Sequence, residues 1–219
     1  MKPSDEEAGC LVSRGGRLYT RSAAPGIRVY GERLVSFEGV EYREWDPYRS
    51  KLSAYLRLGG GPLPFRKDDS VLYLGAASGT TASHVSDMVP EGRVYCVEFS
   101  PRTFRELVRN CDRRPNMIPI LGDATRPEEY SFVVGSSGVV YSDVAQKRQT
   151  DILADNMDLF GADRGMVSIK ARSEDVTAAP ADIFSSSEAR LRDRGFRIED
   201  IHSLEPYEMS HAMIYVRRG

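Results

Sequence analysis

The stretch Val71-Leu72-Tyr73-Leu74-Gly75-Ala76-Ala77-Ser78-Gly79-Thr80-Thr81 reads as a strand, a turn of small residues and the start of a helix. Four consecutive apolar residues ending at a glycine fit a strand covered on both faces. Small residues in the turn let a ligand approach the backbone closely. The helix start presents free N–H groups and a positive dipole end to an anionic group. A plain strand–helix turn accounts for the same residues without a ligand. The turn is not G-x-G-x-x-G, so the dinucleotide fingerprint is missing.

Outward from this stretch, strand-like and helix-like segments alternate. The pattern predicts strands over 71–75, 93–98, 117–121, 137–142, 165–170, 196–203 and 211–217. Helices are expected near 80–88, 101–112, 147–160 and 181–194. Such alternation predicts a parallel sheet with helices on both faces. Only the loop around Glu205-Pro206-Tyr207 separates the last two strands, which predicts an antiparallel edge hairpin.

Residues 1–60 have a different texture. Short β-like runs, Arg17–Thr20, Ile27–Tyr30, Leu34-Val35 and Val40–Arg43, are punctuated by Gly26, Gly31 and Gly39. They predict a small antiparallel sheet. A helix should follow, with Asp46 as N-cap, Pro47 at its first position and Leu52, Tyr55 and Leu56 on its apolar face. Gly59-Gly60-Gly61 ends it and marks a boundary, with residues 61–219 forming the larger domain.

Composition narrows the function classes. The chain has 219 residues, 30 basic and 32 acidic, with a net charge of −2, which argues against holding nucleic acid by bulk charge. No apolar run approaches a membrane span, and the acidic opening Met1–Glu7 is unlike a signal peptide. Cys10, Cys96 and Cys111 are widely spaced and form no zinc pattern, so no metal is expected and a reducing, cytoplasmic setting is.

Three acids fall at strand ends. Glu98 closes the second strand of the alternating series, where doubly wound folds grip ribose hydroxyls. Asp123, in Gly122-Asp123-Ala124, follows the third and could accept from an adenine amino group. Asp143, in Tyr141-Ser142-Asp143-Val144-Ala145-Gln146, follows the fourth. An acid after the second strand serves either NAD or S-adenosylmethionine. The acid after the third, with the altered glycine pattern, favours S-adenosylmethionine. Lys170 ends the fifth strand, and His211 opens the last, at the same sheet edge if that strand is antiparallel. Lysine is rare here: five residues against 25 arginines. Lysine at 51 and 170 therefore suggests a compact charge that arginine would not supply, although Lys51 taken alone reads as an ordinary surface lysine. Arg102, Arg105, Arg109 and Arg113 share a helix face, which reads first as a solvated face and second as an RNA contact. His84 and His202 are single, without metal-ligand partners, and take no role; His84 suggests packing or capping on its helix. Trp45 and Phe37 suggest an apolar contact between the two parts of the chain.

Taken together these residues resemble the fibrillarin family in its short archaeal form. The resemblance rests on Tyr42–Leu52, Gly75–Asp87, Val97–Arg102, Pro119–Thr125, Asp143–Gln146, Ile169–Arg172 and Glu205–Met213. It implies a class I methyltransferase fold, a Rossmann-like seven-stranded sheet with an antiparallel last strand, plus a small N-terminal β domain. It implies S-adenosylmethionine bound by Gly75, Ala76, Ser78, Gly79, Thr80, Thr81, Glu98, Phe99, Asp123, Ala124, Asp143, Val144, Ala145 and Gln146. It implies a catalytic set of Lys51, Asp143, Lys170 and His211 that methylates ribose 2′-hydroxyls of rRNA and tRNA. The implied partners are a C/D box guide RNA, a Nop-type scaffold protein and a kink-turn-binding subunit. A methyltransferase with another acceptor and a catalytically silent ribonucleoprotein subunit stand as alternatives.

Overall fold

The computed structural model describes residues 10–219, so the acidic opening stretch lies outside the described residues. A four-stranded antiparallel sheet comes first: β1 (Leu11–Arg14), β2 (Arg17–Arg21), β3 (Leu34–Phe37) and β4 (Val40–Glu44), in the order β1-β2-β4-β3. Strand β1 was not expected from sequence. The Ile27–Tyr30 run is not a strand; Val29 N–H and Tyr30 N–H donate to the Glu32 carboxylate at 3.0 and 2.9 Å, which curls the segment into a loop. Its alternating pattern loses to this local capping, which in turn holds Glu32 for Arg43.

Helix α1 (Lys51–Arg57) begins four residues later than Asp46 and Pro47 suggested. Asp46 caps a separate turn, accepting from Tyr48 N–H at 2.9 Å, while Ser50 caps α1 by accepting from Ser53 N–H at 3.3 Å. Both residues are good N-caps, and the nearer one takes the helix.

The remaining chain alternates. The order is β5 (Ser70–Leu74), α2 (Thr80–Met88), β6 (Arg93–Glu98), α3 (Pro101–Cys111), β7 (Met117–Leu121), a 3-10 turn (Pro127–Tyr130), α4 (Ser131–Val134) and β8 (Val139–Ser142). It continues with α5 (Gln149–Phe160), β9 (Arg164–Lys170), α6 (Ala171–Glu174), α7 (Pro180–Asp193), β10 (Phe196–Ser203) and β11 (His211–Arg218). The seven strands form one sheet in the order β10-β11-β9-β8-β5-β6-β7. This is the class I methyltransferase arrangement. β5 to β9 are parallel, and β11 runs antiparallel between β9 and β10. The hairpin is therefore the antiparallel edge hairpin expected, with β10 outermost.

Strand β5 shows why the sheet is buried twice. Val71 and Tyr73 face one core with Val85, Leu107 and Tyr141; Leu72 and Leu74 face the other with Leu153, Met157 and Leu191. Alternate residues point to opposite faces, so a run apolar at every position needs cover on both. Each buried leucine contributes about 1.5–3 kcal/mol. After β5 the chain adds β6 and β7 on one side, then returns to place β8 on the other. The crevice at this reversal lies at the carboxyl ends of β5 and β8.

The small sheet is fastened to α2. Trp45 is buried and stacks on His84, ring centroids 4.7 Å apart. Arg43 is buried between Glu32 and Asp87, at 2.6 and 2.7 Å, and Arg114 takes the other Asp87 oxygen at 2.7 Å. Phe37 does not bridge the two parts as expected; it packs within its own sheet on Tyr19 and Tyr42. His84 is packed, as sequence suggested: its Nδ1 meets Thr20 Oγ1 at 2.7 Å and its Nε2 meets Tyr30 OH at 2.8 Å. Thr20 gives its one proton to Asp87, so His84 Nδ1 donates to Thr20, and burial, which holds the ring's pKa well below the usual 6.5, keeps it neutral. His202 donates from Nε2 to Leu58 O at 3.0 Å.

Candidate active site

The turn after β5 is pinned across its neighbours. Gly75 N–H and Ala76 N–H both donate to Val97 O, at 2.9 and 3.0 Å. Gly75 has φ +76°, and a Cβ there would lie 2.9 Å from the Asp143 carbonyl oxygen. Glycine is required both by the left-handed backbone and by the close approach of β8. Gly79, at φ +93°, caps α2 without any side-chain contribution.

At the carboxyl end of β6, Glu98 accepts from Ala77 N–H at 2.9 Å and from Ser100 N–H at 2.8 Å. Each carboxylate oxygen keeps further lone pairs for a ligand. A cavity of about 290 Å³ opens here, lined by Gly75, Ala77, Val97, Glu98 and Phe99 on one side. Gly122, Ala124, Asp143, Val144, Ala145 and Gln146 line the other. The ring of Phe99 stands 65% exposed at its rim. Ala77, Val97 and Gly122 were not anticipated; each is adjacent to an expected residue.

Other expected residues sit apart from this cavity wall. Ala76 is buried, and Gly79 packs on Leu107, which a Cβ there would meet at 3.1 Å. The Thr81 hydroxyl donates to Ser50 Oγ at 3.0 Å, linking α2 to the cap of α1. Ser78 and Thr80 line a neighbouring hollow with Arg49 and Arg109. Asp123 accepts from Thr125 N–H and Oγ1 at 2.9 and 2.8 Å, forming a local turn beside the cavity.

Asp143 lies where the cavity meets the second group of expected residues. Its N–H donates to Leu74 O at 2.9 Å, holding it against the end of β5. Lys51 Nζ is 3.4 Å from Oδ2 and Lys170 Nζ is 3.0 Å from Oδ1. Lys170 aims its ammonium N–H at the Asp143 backbone carbonyl, 2.9 Å away, so Oδ1 is buried with charge contact but without an aligned hydrogen bond. Both lysine side chains are mostly covered. The structure thus joins Lys51, which alone read as a surface residue, to Lys170 across one carboxylate. Glu208 Oε1 approaches Lys51 Nζ at 4.0 Å.

His211 pairs with Lys170 in register at the start of β11. Its Nδ1 donates to Met209 O at 2.7 Å, and its Nε2 has no hydrogen-bond partner among the described residues. It makes no hydrogen bond to Asp143. Two residues behind the site escaped sequence reading. Gln149 brackets the Lys170 backbone, accepting its N–H at 2.8 Å and donating to its carbonyl at 3.2 Å. Glu174 caps α5 by accepting Arg148 N–H and Gln149 N–H at 2.9 and 2.7 Å. A glutamine in a basic, polar stretch gives no signal of this partner. Beneath Asp143, the rings of Tyr73 and Tyr141 pack 4.6 Å apart. Burial above all, with the nearby Asp143 charge, pushes both phenols well above their usual range, so they stay neutral.

Comparison with known proteins gives consistent matches. The Fibrillarin family model matches residues 2–219. A fibrillarin-like rRNA/tRNA 2′-O-methyltransferase of Pyrobaculum calidifontis is 52% identical, covering 100% of this chain and 97% of that protein. The crystal structure of Aeropyrum pernix fibrillarin with natively bound S-adenosyl-L-methionine is 44% identical with a TM-score of 0.87, covering 98% and 96%. A fibrillarin/Nop5p complex contains a chain 40% identical with a TM-score of 0.89, covering all of both.

Proposed function

The chain belongs to the fibrillarin family, and from that premise we propose that it methylates ribose 2′-hydroxyls of rRNA and tRNA. S-adenosylmethionine is the methyl donor, and a C/D box guide RNA selects the nucleotide. One observation carries the reading: a recessed carboxylate, Asp143, held between two lysines at the mouth of a nucleoside-sized cavity.

The residues fit the donor. Gly75 has no side chain to fill the cavity floor, and the Glu98 carboxylate has lone pairs free for ribose hydroxyls. Phe99 offers a flat apolar face, and Ala124 and Val144 cover an adenine-sized space. Asp123, Ala145 and Gln146 rim the base end, while Ala76, Ser78, Gly79, Thr80 and Thr81 shape the turn around the cofactor's charged tail. When bound, S-adenosylmethionine supplies a methyl group already activated on a sulfonium.

The protein's share is then positioning and proton handling. Asp143 accepts a hydrogen bond from the target 2′-hydroxyl and takes its proton as the oxygen attacks. Lys170 pairs with the Asp143 carboxylate and fixes it in place. Lys51 places positive charge beside the ribose and its developing oxyanion. His211, whose Nε2 has no partner among the described residues, orders the RNA side of the site. Residues 1–60 deliver Lys51, and residues 61–219 hold the cofactor.

A Nop-type scaffold and a kink-turn-binding subunit complete the assembly, in the cytoplasm. No helix among the described residues is long and apolar enough to cross a membrane. The net charge of −2 suits a subunit that borrows its RNA affinity from such partners. The test is methyl transfer from labelled S-adenosylmethionine to an RNA paired with a C/D box guide, with and without both protein partners. One modified ribose, appearing only in the full mixture, is expected. Asp143→Ala should lower that rate by about 100-fold or more. Near-normal transfer by the variant would reject the proton-accepting role.

A further inference from the structure

Asp143 is recessed, its side chain only 15% exposed between the two lysines. A ribose that reaches it must first pass whatever stands at the lip. Two tyrosines come from the segments that bring Lys51 and Glu208 to it. Tyr48 lies in the turn just ahead of Lys51, and Tyr207 immediately precedes Glu208, which approaches Lys51. Their rings meet edge to face, centroids 5.0 Å apart at 72°.

Tyr48 is 69% exposed, yet its backbone is fixed. Its N–H donates to Asp46 Oδ1 at 2.9 Å, and the next residue's N–H donates to Asp46 O at 3.1 Å. Its hydroxyl has no hydrogen-bond partner among the described residues. Tyr207 is likewise anchored, through its N–H to the carbonyl of buried Leu204 at 3.0 Å. The result is an exposed aromatic on a fixed backbone, with an unpartnered hydroxyl, three residues ahead of Lys51. Nothing in the free chain uses it.

Paired RNA presents a matching surface. Its minor groove is wide and shallow and displays the 2′-hydroxyls, each both donor and acceptor. A guided target offers its ribose to Asp143 from that groove, so the neighbouring riboses lie against the lip. A phenol hydroxyl also donates and accepts. Resting on the function proposed above, we propose that Tyr48, braced by Tyr207, is a substrate-positioning residue: its ring seats in the minor groove of the guide–target duplex and its hydroxyl bonds the 2′-hydroxyl of a nucleotide flanking the methylated one.

The test is a cycle in the assembled complex. Target RNAs carry a single 2′-deoxy substitution at either flanking nucleotide, with the methylated ribose intact. The proteins are wild type, Tyr48→Phe and Tyr48→Ala. One flanking deoxy substitution should raise the wild-type KM by roughly fivefold, the worth of one hydrogen bond. Tyr48→Phe should raise KM for all-ribose RNA by the same factor and be indifferent to that deoxy substitution. Tyr48→Ala should raise it further, by roughly tenfold or more, with S-adenosylmethionine affinity unchanged. Normal KM in Tyr48→Ala, or penalties in Tyr48→Phe and the deoxy RNA that simply multiply, would overturn the proposal. If wild-type complex methylates no RNA, the functional reading itself fails, which the wild-type arm reveals separately.

Discussion

At the scale of single residues, the site depends on how closely β5 and β8 approach. Gly75 lines the cavity beside Asp143, and its missing Cβ is what lets Asp143 rest against the end of β5. Gly75→Ala adds a methyl 2.9 Å from the Asp143 carbonyl oxygen and forces an L-residue to hold φ +76°. Both faults act at the junction of the two half-sites. The expected outcome is a fall in S-adenosylmethionine affinity of roughly tenfold or more, with a loss of about 1–2 kcal/mol in stability. Calorimetric titration and urea unfolding check the two numbers separately; cofactor affinity equal to wild type would show that the turn tolerates the methyl. This glycine was legible in sequence because a strand–turn–helix signature surrounds it. The bracketing of Lys170 by Gln149 was not, because a side-chain amide that serves a backbone 21 residues further along the chain leaves no local pattern.

At the scale of elements, α2 carries both the cofactor turn at one end and the anchor of the small sheet at its other faces. The periodic segments of the large sheet were readable to within a residue or two, since burial on both faces demands continuous apolar runs. The small sheet was less so. Leu11-Val12-Ser13-Arg14 has only two apolar residues and pairs because β2 lies beside it, while Ile27–Tyr30 alternates like a strand yet wraps Glu32. Asp46 and Ser50 compete as caps, and spacing alone does not choose between them. The polar joint between α2 and the small sheet was invisible, because Arg43, Asp87 and Arg114 look like surface charge until the fold buries them. That joint predicts a pH dependence. His84 is fully buried, and burial first, then Arg43 and Arg114, hold its pKa well below the usual 6.5. The unfolded chain therefore binds a proton below about pH 6.5 that the folded chain refuses, so stability falls as pH drops. The slope should approach about 1.4 kcal/mol per pH unit between pH 6.5 and 5.5. Glu32, whose pKa is lowered by Arg43 and backbone N–H groups against the opposing effect of burial, acts only as pH falls below about 4.5. It does not contribute in this window. Urea unfolding of His84→Gln across the same range should show a flatter profile, though from a lower starting stability; an unchanged slope would place the titrating group elsewhere.

At the scale of the whole molecule, the two sheets divide the work unequally. The cavity proposed to hold the cofactor is lined by residues at the ends of β5, β6, β7 and β8 of the large sheet. Lys51 arrives from the other side, at the end of a chain of contacts that starts in the small sheet. Strand β4 leads into Trp45, whose indole stacks on His84 and whose carbonyl accepts from Ser53 Oγ at 2.8 Å. Ser50 caps α1 and accepts from Thr81 on α2 at 3.0 Å, and Lys51 follows it directly. The small sheet thus serves as a mount for Lys51, the charge proposed above to face the ribose. Trp45→Ala removes the largest side chain of this mount. It should cost about 3–5 kcal/mol of stability, as loss of a buried aromatic does. Measured where the variant is still folded, the two half-sites should respond differently. S-adenosylmethionine affinity should stay within about twofold of wild type, because Trp45 stacks on His84 and hydrogen-bonds Ser53, neither of which lines the cavity. Guided transfer should fall by roughly tenfold to 100-fold, because a displacement of about 1 Å at Lys51 misplaces the charge that faces the ribose. Trp45→Phe, which keeps an aromatic face for His84, should recover most of the rate. Equal loss of cofactor affinity and rate in Trp45→Ala would mean that the small sheet supports the whole site and not Lys51 alone.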